Sequence, residues 1–300
     1  MSLGEGRVTL PTVDEPIAST AALALRLAST LCHKDPATGE SCAWYHGPWQ
    51  LLRLLGLVMT PARHADFYGA ALETAVGRRR VPRILISGAA DYSLLGHVLA
   101  ALRARSIEPE ITVLDLCETP LALNRWYAER MAYPITICHR DIFEYEVERP
   151  FDIICTHSFL GRFDQKQRGR LVETWRELLC VGGAVVTANR IQPAATAEPK
   201  PFSPEQARAF RDAVSRGAEA LHLSTSIDPR EIVRQADLYT THQIVHPVRS
   251  REEFVGLFEQ SGFIVDHISW SPIVSGARSD VSGPGVPGTS EYGRIIAIRP

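Results

Sequence analysis

The sequence has little that would direct it to a nucleic acid or a membrane. Its formal net charge is only -2 over 300 residues, and no long basic run occurs. Because non-specific nucleic-acid binding depends on neutralising phosphates, such a partner is disfavoured. No apolar run approaches the length that spans a bilayer, and the opening MSLGEGRVTL lacks the pattern of a signal peptide. We therefore expect a soluble, cytoplasmic protein with neither partner.

Cysteine pairs of the kind that bind zinc are also missing. The six cysteines contain no CxxC pair, so their spacing predicts no metal site. Cys117 and Cys155 lie in or beside apolar, strand-like runs, where a buried thiol is the expected form. What is present is ordinary globular material, with 45% hydrophobic and 22% charged residues. This composition suits one large domain, or a core domain with additions.

Helical patterns fill the first part of the chain. Residues 21–31 are rich in Ala and Leu, and residues 49–59 repeat apolar side chains at helical spacing. A third helix is predicted over residues 61–76, with Pro61 in its first turn. We interpret residues 1–80 as an N-terminal helical cap.

From Val81 onward, short apolar strands alternate with helical patterns. Strands that are apolar throughout are typical of a parallel sheet covered by helices on both faces. The sequence therefore predicts a doubly wound, Rossmann-like α/β domain over residues 81–300. The predicted strands cover residues 83–87, 110–116, 135–139, 151–155 and 183–188.

This alternation is interrupted over residues 192–248. Two helical patterns lie there, over 204–222 and 228–236, and each begins with a capping residue followed by a proline. We predict a helical insertion after the fifth strand. The chain then closes with a helix (250–261) and two strands (263–270 and 294–299), which we expect to pair as an antiparallel hairpin at the sheet edge.

The turn after the first strand carries the first functional signal. The strand ends at Gly88 and a helix begins a few residues later, in ILISGAADYSLL. A glycine there lets the backbone turn sharply and lets a ligand approach closely. Ala90 and Tyr92 stand where the dinucleotide fingerprint would have further glycines. An NAD-dependent dehydrogenase is therefore disfavoured.

Two acidic residues follow the next two strands. Asp115 ends the second strand, where a carboxylate can accept hydrogen bonds from both ribose hydroxyls. Asp141 follows the third strand and can accept from the amine of adenine, with Ile142 packed on the ring. Each carboxylate alone could equally be a helix cap or a solvated surface group. Their order after strands one, two and three favours an adenosine site.

These motifs resemble those of the class I methyltransferases that use S-adenosylmethionine (SAM). The resemblance covers residues 81–188 and the closing strand pair, through SGAADYS, LDL, HRDIF, FDIICTHS and VGG. It implies a seven-stranded sheet whose last strand is antiparallel, with SAM across the ends of strands one, two and four. The implied cofactor-binding residues are Ser87, Gly88, Ala89, Asp91, Tyr92, Asp115, Leu116, Asp141, Ile142, Thr156 and His157.

One position departs from that family. Its members often have an acidic residue just before the first glycine, and here that residue is Ser87. Asp91 or a backbone carbonyl is the alternative partner for the amino group of the methionine part of SAM.

Aromatic residues cluster near the end of the helical cap, in CAWYHGPW. Packing onto the sheet explains Trp49, whereas Trp44 and Tyr45 could instead offer a ring face to the positive sulfonium of SAM, as could Tyr92. The insertion adds Tyr239 and His242, which we group with Trp44 as a substrate lid. Lids on both sides would close off a water-poor cavity, which favours a small substrate.

The resulting hypothesis is a SAM-dependent methyltransferase that acts on a small-molecule acceptor in biosynthetic, secondary metabolism. The protein would mainly align the acceptor and exclude water. His157 is the first candidate for a base, followed by Tyr45 and His46. One alternative is a cyclase or lyase that releases methylthioadenosine from SAM, similar to enzymes that form azetidine-2-carboxylate. Another is a SAM-binding protein without catalytic activity.

Overall fold

A computed structural model describes residues 13–32, 34–35, 39–77, 79–195, 198–273, 283–284 and 289–300. Its centre is a seven-stranded sheet. The strands of this sheet are β1 (Arg83–Ser87), β2 (Glu110–Asp115), β3 (Thr136–His139), β4 (Phe151–His157), β5 (Leu179–Ile191), β8 (Ile264–Pro272) and β9 (Glu291–Ile298). Two further strands, β6 (Lys200–Pro201) and β7 (Ile244–Val245), pair with each other across the base of the insertion.

The strand order is β3-β2-β1-β4-β5-β9-β8, and β9 alone runs antiparallel to its neighbours. This confirms the predicted doubly wound sheet with an antiparallel last strand. The order reverses between β1 and β4, which leaves a crevice at their carboxyl ends where ligands of such sheets bind. Strand β5 is longer than predicted because it pairs with β4 from Leu179 and with β9 as far as Ile191.

The closing strands pair antiparallel as predicted, although β9 inserts between β5 and β8, so that β8 is the edge strand. The loop between them, over residues 275–290, lies largely outside the described residues. Among the described helices, none combines the length and apolar character that a membrane crossing needs.

Helices cover both faces of the sheet. One buried cluster joins the sheet to α4 (Ala65–Val76), α5 (Ser93–Arg103) and α6 (Glu118–Arg130). The other joins it to α7 (Gln165–Leu178) and α10 (Arg251–Gln260). Each strand therefore buries side chains on both sides, which explains why the strands are apolar throughout.

The N-terminal helices and the insertion pack against each other. The first group is α1 (Ile17–Leu31), α2 (Ala43–His46) and α3 (Trp49–Leu54), and the second is α8 (Pro204–Thr225) and α9 (Pro229–His242). A third buried cluster holds Leu51 and Leu52 against Phe210 and Tyr239. Both insertion helices end later than predicted, and their contact with the N-terminal helices was not predicted. Together the two segments cover the carboxyl ends of the strands.

Candidate functional site

A cavity of about 250 Å³ lies at the carboxyl ends of β1, β2 and β4. Its walls come from the turns after β1 and β4, from the end of β2, and from the N-terminal segment around α2. The predicted site residues that line it are Trp44, Tyr45, His46, Gly88, Ala89, Asp91, Asp115 and His157. The fold thus brings the aromatic segment and the strand ends to one place.

Gly88 shapes the turn beneath this cavity. Its φ is 75°, a left-handed conformation that side chains rarely adopt. A Cβ at this position would also lie 2.5 Å from the ring of Phe159. Glycine is required here both by backbone conformation and by space, which agrees with the role predicted for it.

Asp115 is held by two main-chain donors. Its Oδ2 accepts from the N–H of Ala89 and its Oδ1 from the N–H of Cys117, each at 2.8 Å. Burial raises the pKa of this carboxyl, whereas His46 and the two N–H groups lower it. Because each oxygen is anchored once, the carboxylate has a fixed orientation and still has lone pairs for hydroxyl donors.

Asp91 lines the cavity as a carboxylate that is already paired. Its Oδ2 lies 2.6 Å from Nη1 of Arg53, and its Oδ1 accepts from the N–H of Ser93 at 2.9 Å. Arg53 also contacts Glu15 at 2.6 Å, and the side chains of Arg53 and Asp91 are 3% and 2% exposed. This buried network joins α3 to the turn after β1, so Asp91 has a structural role whatever it binds.

His157 is oriented by Tyr68. The Tyr68 hydroxyl donates to the carbonyl of Thr156 at 2.8 Å and lies 3.0 Å from Nδ1 of His157. Because that hydroxyl has a single hydrogen, Nδ1 is assigned as a donor, which leaves a lone pair on Nε2. Burial and then His64 lower the pKa of His157 well below its ordinary value. The imidazole is therefore neutral but only weakly basic.

The two other candidate bases are less suited to that role. Burial lowers the pKa of His46, but the thiols of Cys117 and Cys42 raise it to about 10, so the imidazole is protonated at neutral pH. The ring of Tyr45 lies 3.8 Å from the guanidinium carbon of Arg162. One face of Tyr45 is thus already covered by a cation of the protein.

A second cavity, of about 100 Å³, adjoins the first and shares Tyr45, Trp49, Ser158 and Arg162 with it. Tyr239 of the predicted lid lines this second cavity, together with residues of β5 and the end of α9. No carboxylate lines it within the described part of the chain.

Arg162 lies between the two cavities, in the short 3₁₀ turn Leu160–Arg162 that follows β4. Its Nη1 donates to Oε1 of Gln243 at 3.3 Å. Sequence reasoning missed this residue, because a single arginine in a loop carries no pattern. Its position shortly after the fourth strand was the only available signal.

Three predicted cofactor contacts lie in the core instead. Tyr92 is fully buried, with its hydroxyl 2.8 Å from that of Thr20 and its ring stacked on Tyr127 at 4.7 Å. Ser87 is fully buried and accepts from Nε1 of Trp175 at 3.0 Å, and Thr156 is also fully buried. None of the three is among the residues that line the cavity. Their side chains face the packed layers of the fold, and not its open end.

The residues predicted to hold adenine lie apart from the cavity. Leu116 is 47% exposed, and Ile142 packs in the buried cluster beside α7. Asp141 accepts from the N–H of Phe143 at 2.9 Å, which is a helix-cap contact. His242 of the predicted lid stacks on Trp44, with ring centroids 6.0 Å apart. None of these four residues lines the cavity, so adenine recognition remains a prediction.

No protein-family profile and no curated protein matches this chain. Solved structures do share its fold. A candidate sarcosine dimethylglycine methyltransferase from Galdieria sulphuraria is 11% identical, with a TM-score of 0.52 over 82% of this chain and 92% of its own. The [4+2]-cyclase SpnF is 12% identical, with a TM-score of 0.50 over 81% and 83%. At such low identities the likeness is one of fold. The chain has the Rossmann-like fold of the class I SAM-dependent methyltransferases.

Proposed function

We propose that this chain is a SAM-dependent methyltransferase that acts on a small-molecule acceptor. The observation that carries the proposal is Asp115, a buried carboxylate held by two main-chain N–H groups at the mouth of the crevice. Such a group suits the paired hydroxyls of a ribose. Gly88 and Ala89 would lie along the methionine part of the cofactor. When bound, SAM supplies an electrophilic methyl group on a positively charged sulfur.

The second cavity favours methyl transfer over cyclisation of SAM. A reaction within one SAM molecule needs no room for a second substrate, whereas transfer needs an acceptor beside the methyl group. The second cavity adjoins the first next to His157 and Ser158. The two cavities together reach the lower end of the range for small-molecule sites, about 300–1,000 Å³.

Arg162 indicates the chemical class of the acceptor. Its guanidinium faces both cavities, and its described partners are the Tyr45 ring and the neutral Gln243 amide. A carboxylate or similar acid on the acceptor would provide the opposite charge, with bidentate geometry. We therefore expect an acidic small molecule in the second cavity.

Catalysis would depend on alignment and the exclusion of water. Trp44, Tyr45 and Tyr239 form a cluster with ring centroids 5.9 to 6.4 Å apart, from the N-terminal segment and the insertion. Neutral His157 is in the correct state to accept a proton from the acceptor, but its lowered pKa makes it a weak base. Holding the acceptor in line with the methyl group therefore has the larger effect on rate.

The test is to incubate the protein with SAM alone and with a panel of small carboxylic acids that carry hydroxyl or amino groups. Formation of S-adenosylhomocysteine only when an acid is present would support transfer. Methylthioadenosine formed from SAM alone would support the cyclase instead. If calorimetry detects NAD binding but neither SAM nor S-adenosylhomocysteine binding, the proposal is wrong.

The role of Arg162 has its own matched control. Arg162→Met should raise the KM for the acid far more than that for SAM. Arg251→Met is the control, because Arg251 also lies over an aromatic ring, that of Trp270 at 4.7 Å, and is not among the residues lining either cavity. Equal effects of the two variants on the KM for the acid would argue against an acidic acceptor at Arg162.

A further inference from the structure

Three cysteines that are distant in the sequence meet beside the first cavity. Cys32 follows α1, Cys42 precedes α2, and Cys117 follows β2. Their sulfur atoms all lie within 4.8 Å of one another, and those of Cys42 and Cys117 are 3.5 Å apart. A tetrahedral zinc ion with Zn–S bonds of about 2.3 Å holds its sulfurs about 3.8 Å apart. The thiols are therefore already near the spacing of zinc ligands.

A histidine completes the set. His46 lies one helical turn after Cys42, and its imidazole interacts with the thiols of Cys42 and Cys117. The residue is only 7% exposed, and its Nδ1 has no hydrogen-bond partner among the described residues. A buried imidazole nitrogen normally has a partner. Its position beside three sulfurs is that of a fourth ligand.

We propose that Cys32, Cys42, Cys117 and His46 form a structural zinc site with a closed Cys₃His ligand set. The three thiols would bind Zn²⁺ as thiolates and release their protons to solvent, without any change of oxidation state. Soft sulfur ligands in a tetrahedral arrangement favour zinc over magnesium or calcium. The prediction of no metal site considered only cysteine pairs close in sequence, whereas these ligands are brought together by the fold.

The surroundings of Cys32 fit a thiolate ligand. The hydroxyl of Thr119, which is fully buried, lies 3.3 Å from the Cys32 sulfur. A hydroxyl in that position can donate to a metal-bound thiolate and orient it. The ion would also fix the N-terminal segment against the end of β2, two residues beyond Asp115. This inference depends on the thiol geometry alone and holds whether or not the chain transfers methyl groups.

The experiment measures metal binding by the full-length chain, purified under reducing conditions and loaded with zinc. After removal of free metal, about one zinc per chain is expected, and cobalt loading should give the absorption spectrum of a tetrahedral thiolate site. Cys42→Ser should lose the ion. Cys180→Ser is the control, because Cys180 is a half-buried thiol outside the cluster, and it should bind normally. Thr119→Val should bind zinc about 10- to 100-fold more weakly.

Two results would overturn the proposal. One is a reduced wild-type chain that binds no zinc or cobalt and whose thiols react equally fast with and without zinc. The other is a Cys42–Cys117 disulfide, seen by mass spectrometry in protein isolated without added oxidant, that persists when zinc is supplied. Both results come from the wild-type chain, so they remain decisive even where a serine variant fails to fold.

Discussion

Replacing Asp115 with Asn should weaken the binding of SAM by about 10- to 150-fold. The substitution removes a negative charge and one acceptor at the position proposed to hold the ribose. A hydrogen bond to a charged group contributes about 1.5–3 kcal/mol, and about 1.4 kcal/mol corresponds to a tenfold change in affinity. The range assumes that one of the two ribose hydroxyls keeps its acceptor on the remaining amide oxygen.

The same substitution should also reduce stability. In the wild-type chain each carboxylate oxygen accepts from one main-chain N–H, of Ala89 or Cys117. The amide of Asn can accept only through its oxygen, so its NH₂ group would face the other N–H. Leaving that buried donor unpaired costs about 1–3 kcal/mol of unfolding free energy. Binding must therefore be measured well below the melting temperature of the variant.

Titration calorimetry with SAM and with S-adenosylhomocysteine provides the assay. Both ligands contain the ribose, so both should weaken by the same factor, whereas a purely electrostatic loss would weaken only the sulfonium form. Glu118→Gln is the matched control, since it removes the same charge from an exposed residue three positions further on, at the start of α6. Unchanged affinity for both ligands in Asp115→Asn would refute the assignment of the cofactor site.

Three further substitutions test the structure around the site. Gly88→Ala should lower the melting temperature and abolish SAM binding, because its φ is 75° and the new methyl would lie 2.5 Å from Phe159; Gly169→Ala, at a helical glycine with open space around it, should be neutral or stabilising in the same thermal melt. Arg53→Met should lower the unfolding free energy in urea by about 3–5 kcal/mol, because it leaves buried carboxylates unpaired; a change below about 1 kcal/mol would contradict a buried network. The pKa of His64 is lowered to about 4 by burial, so the unfolded chain binds more protons between that pH and about 6.5, and stability falls as the pH is lowered. Denaturation at pH 7 and pH 5 should differ by about 2 kcal/mol from this residue, and His64→Gln should remove that part of the difference.

The sheet and its order were predictable because they depend on local patterns. Apolar runs bounded by helical segments require strands buried on both faces, and the turn at Gly88 and the acid at Asp115 follow from strand ends. The antiparallel last strand came from the family resemblance, since periodicity alone does not say where β9 inserts. Packing of the insertion on the N-terminal helices depends on contacts between segments far apart in sequence, so no local pattern indicates it.

The site was predicted correctly where the backbone itself decides, and less well where side-chain direction does. Gly88 and Asp115 end strands and reach the cavity, as expected. Ser87 and Tyr92 flank the same turn, yet their side chains point into the packed layers against Trp175 and Tyr127. A motif gives the position of a residue along the chain but not the face of the sheet that its side chain joins. For the same reason Arg162 was missed.

The charges around the two cavities suggest how substrate and product are distinguished. Arg53 neutralises Asp91, and the charge of Asp115 acts across the cavity on Arg162. SAM adds a net positive charge, so the occupied site would attract an anionic acceptor more strongly than the empty one. After transfer the sulfur is neutral and that attraction decreases, which would favour release of the methylated acid. We therefore expect the acceptor to bind more tightly with a non-reactive sulfonium analogue of SAM than with S-adenosylhomocysteine, and more so at low salt. Equal affinity in calorimetry would show that Arg162 alone, without the sulfonium, sets the charge preference of the second cavity.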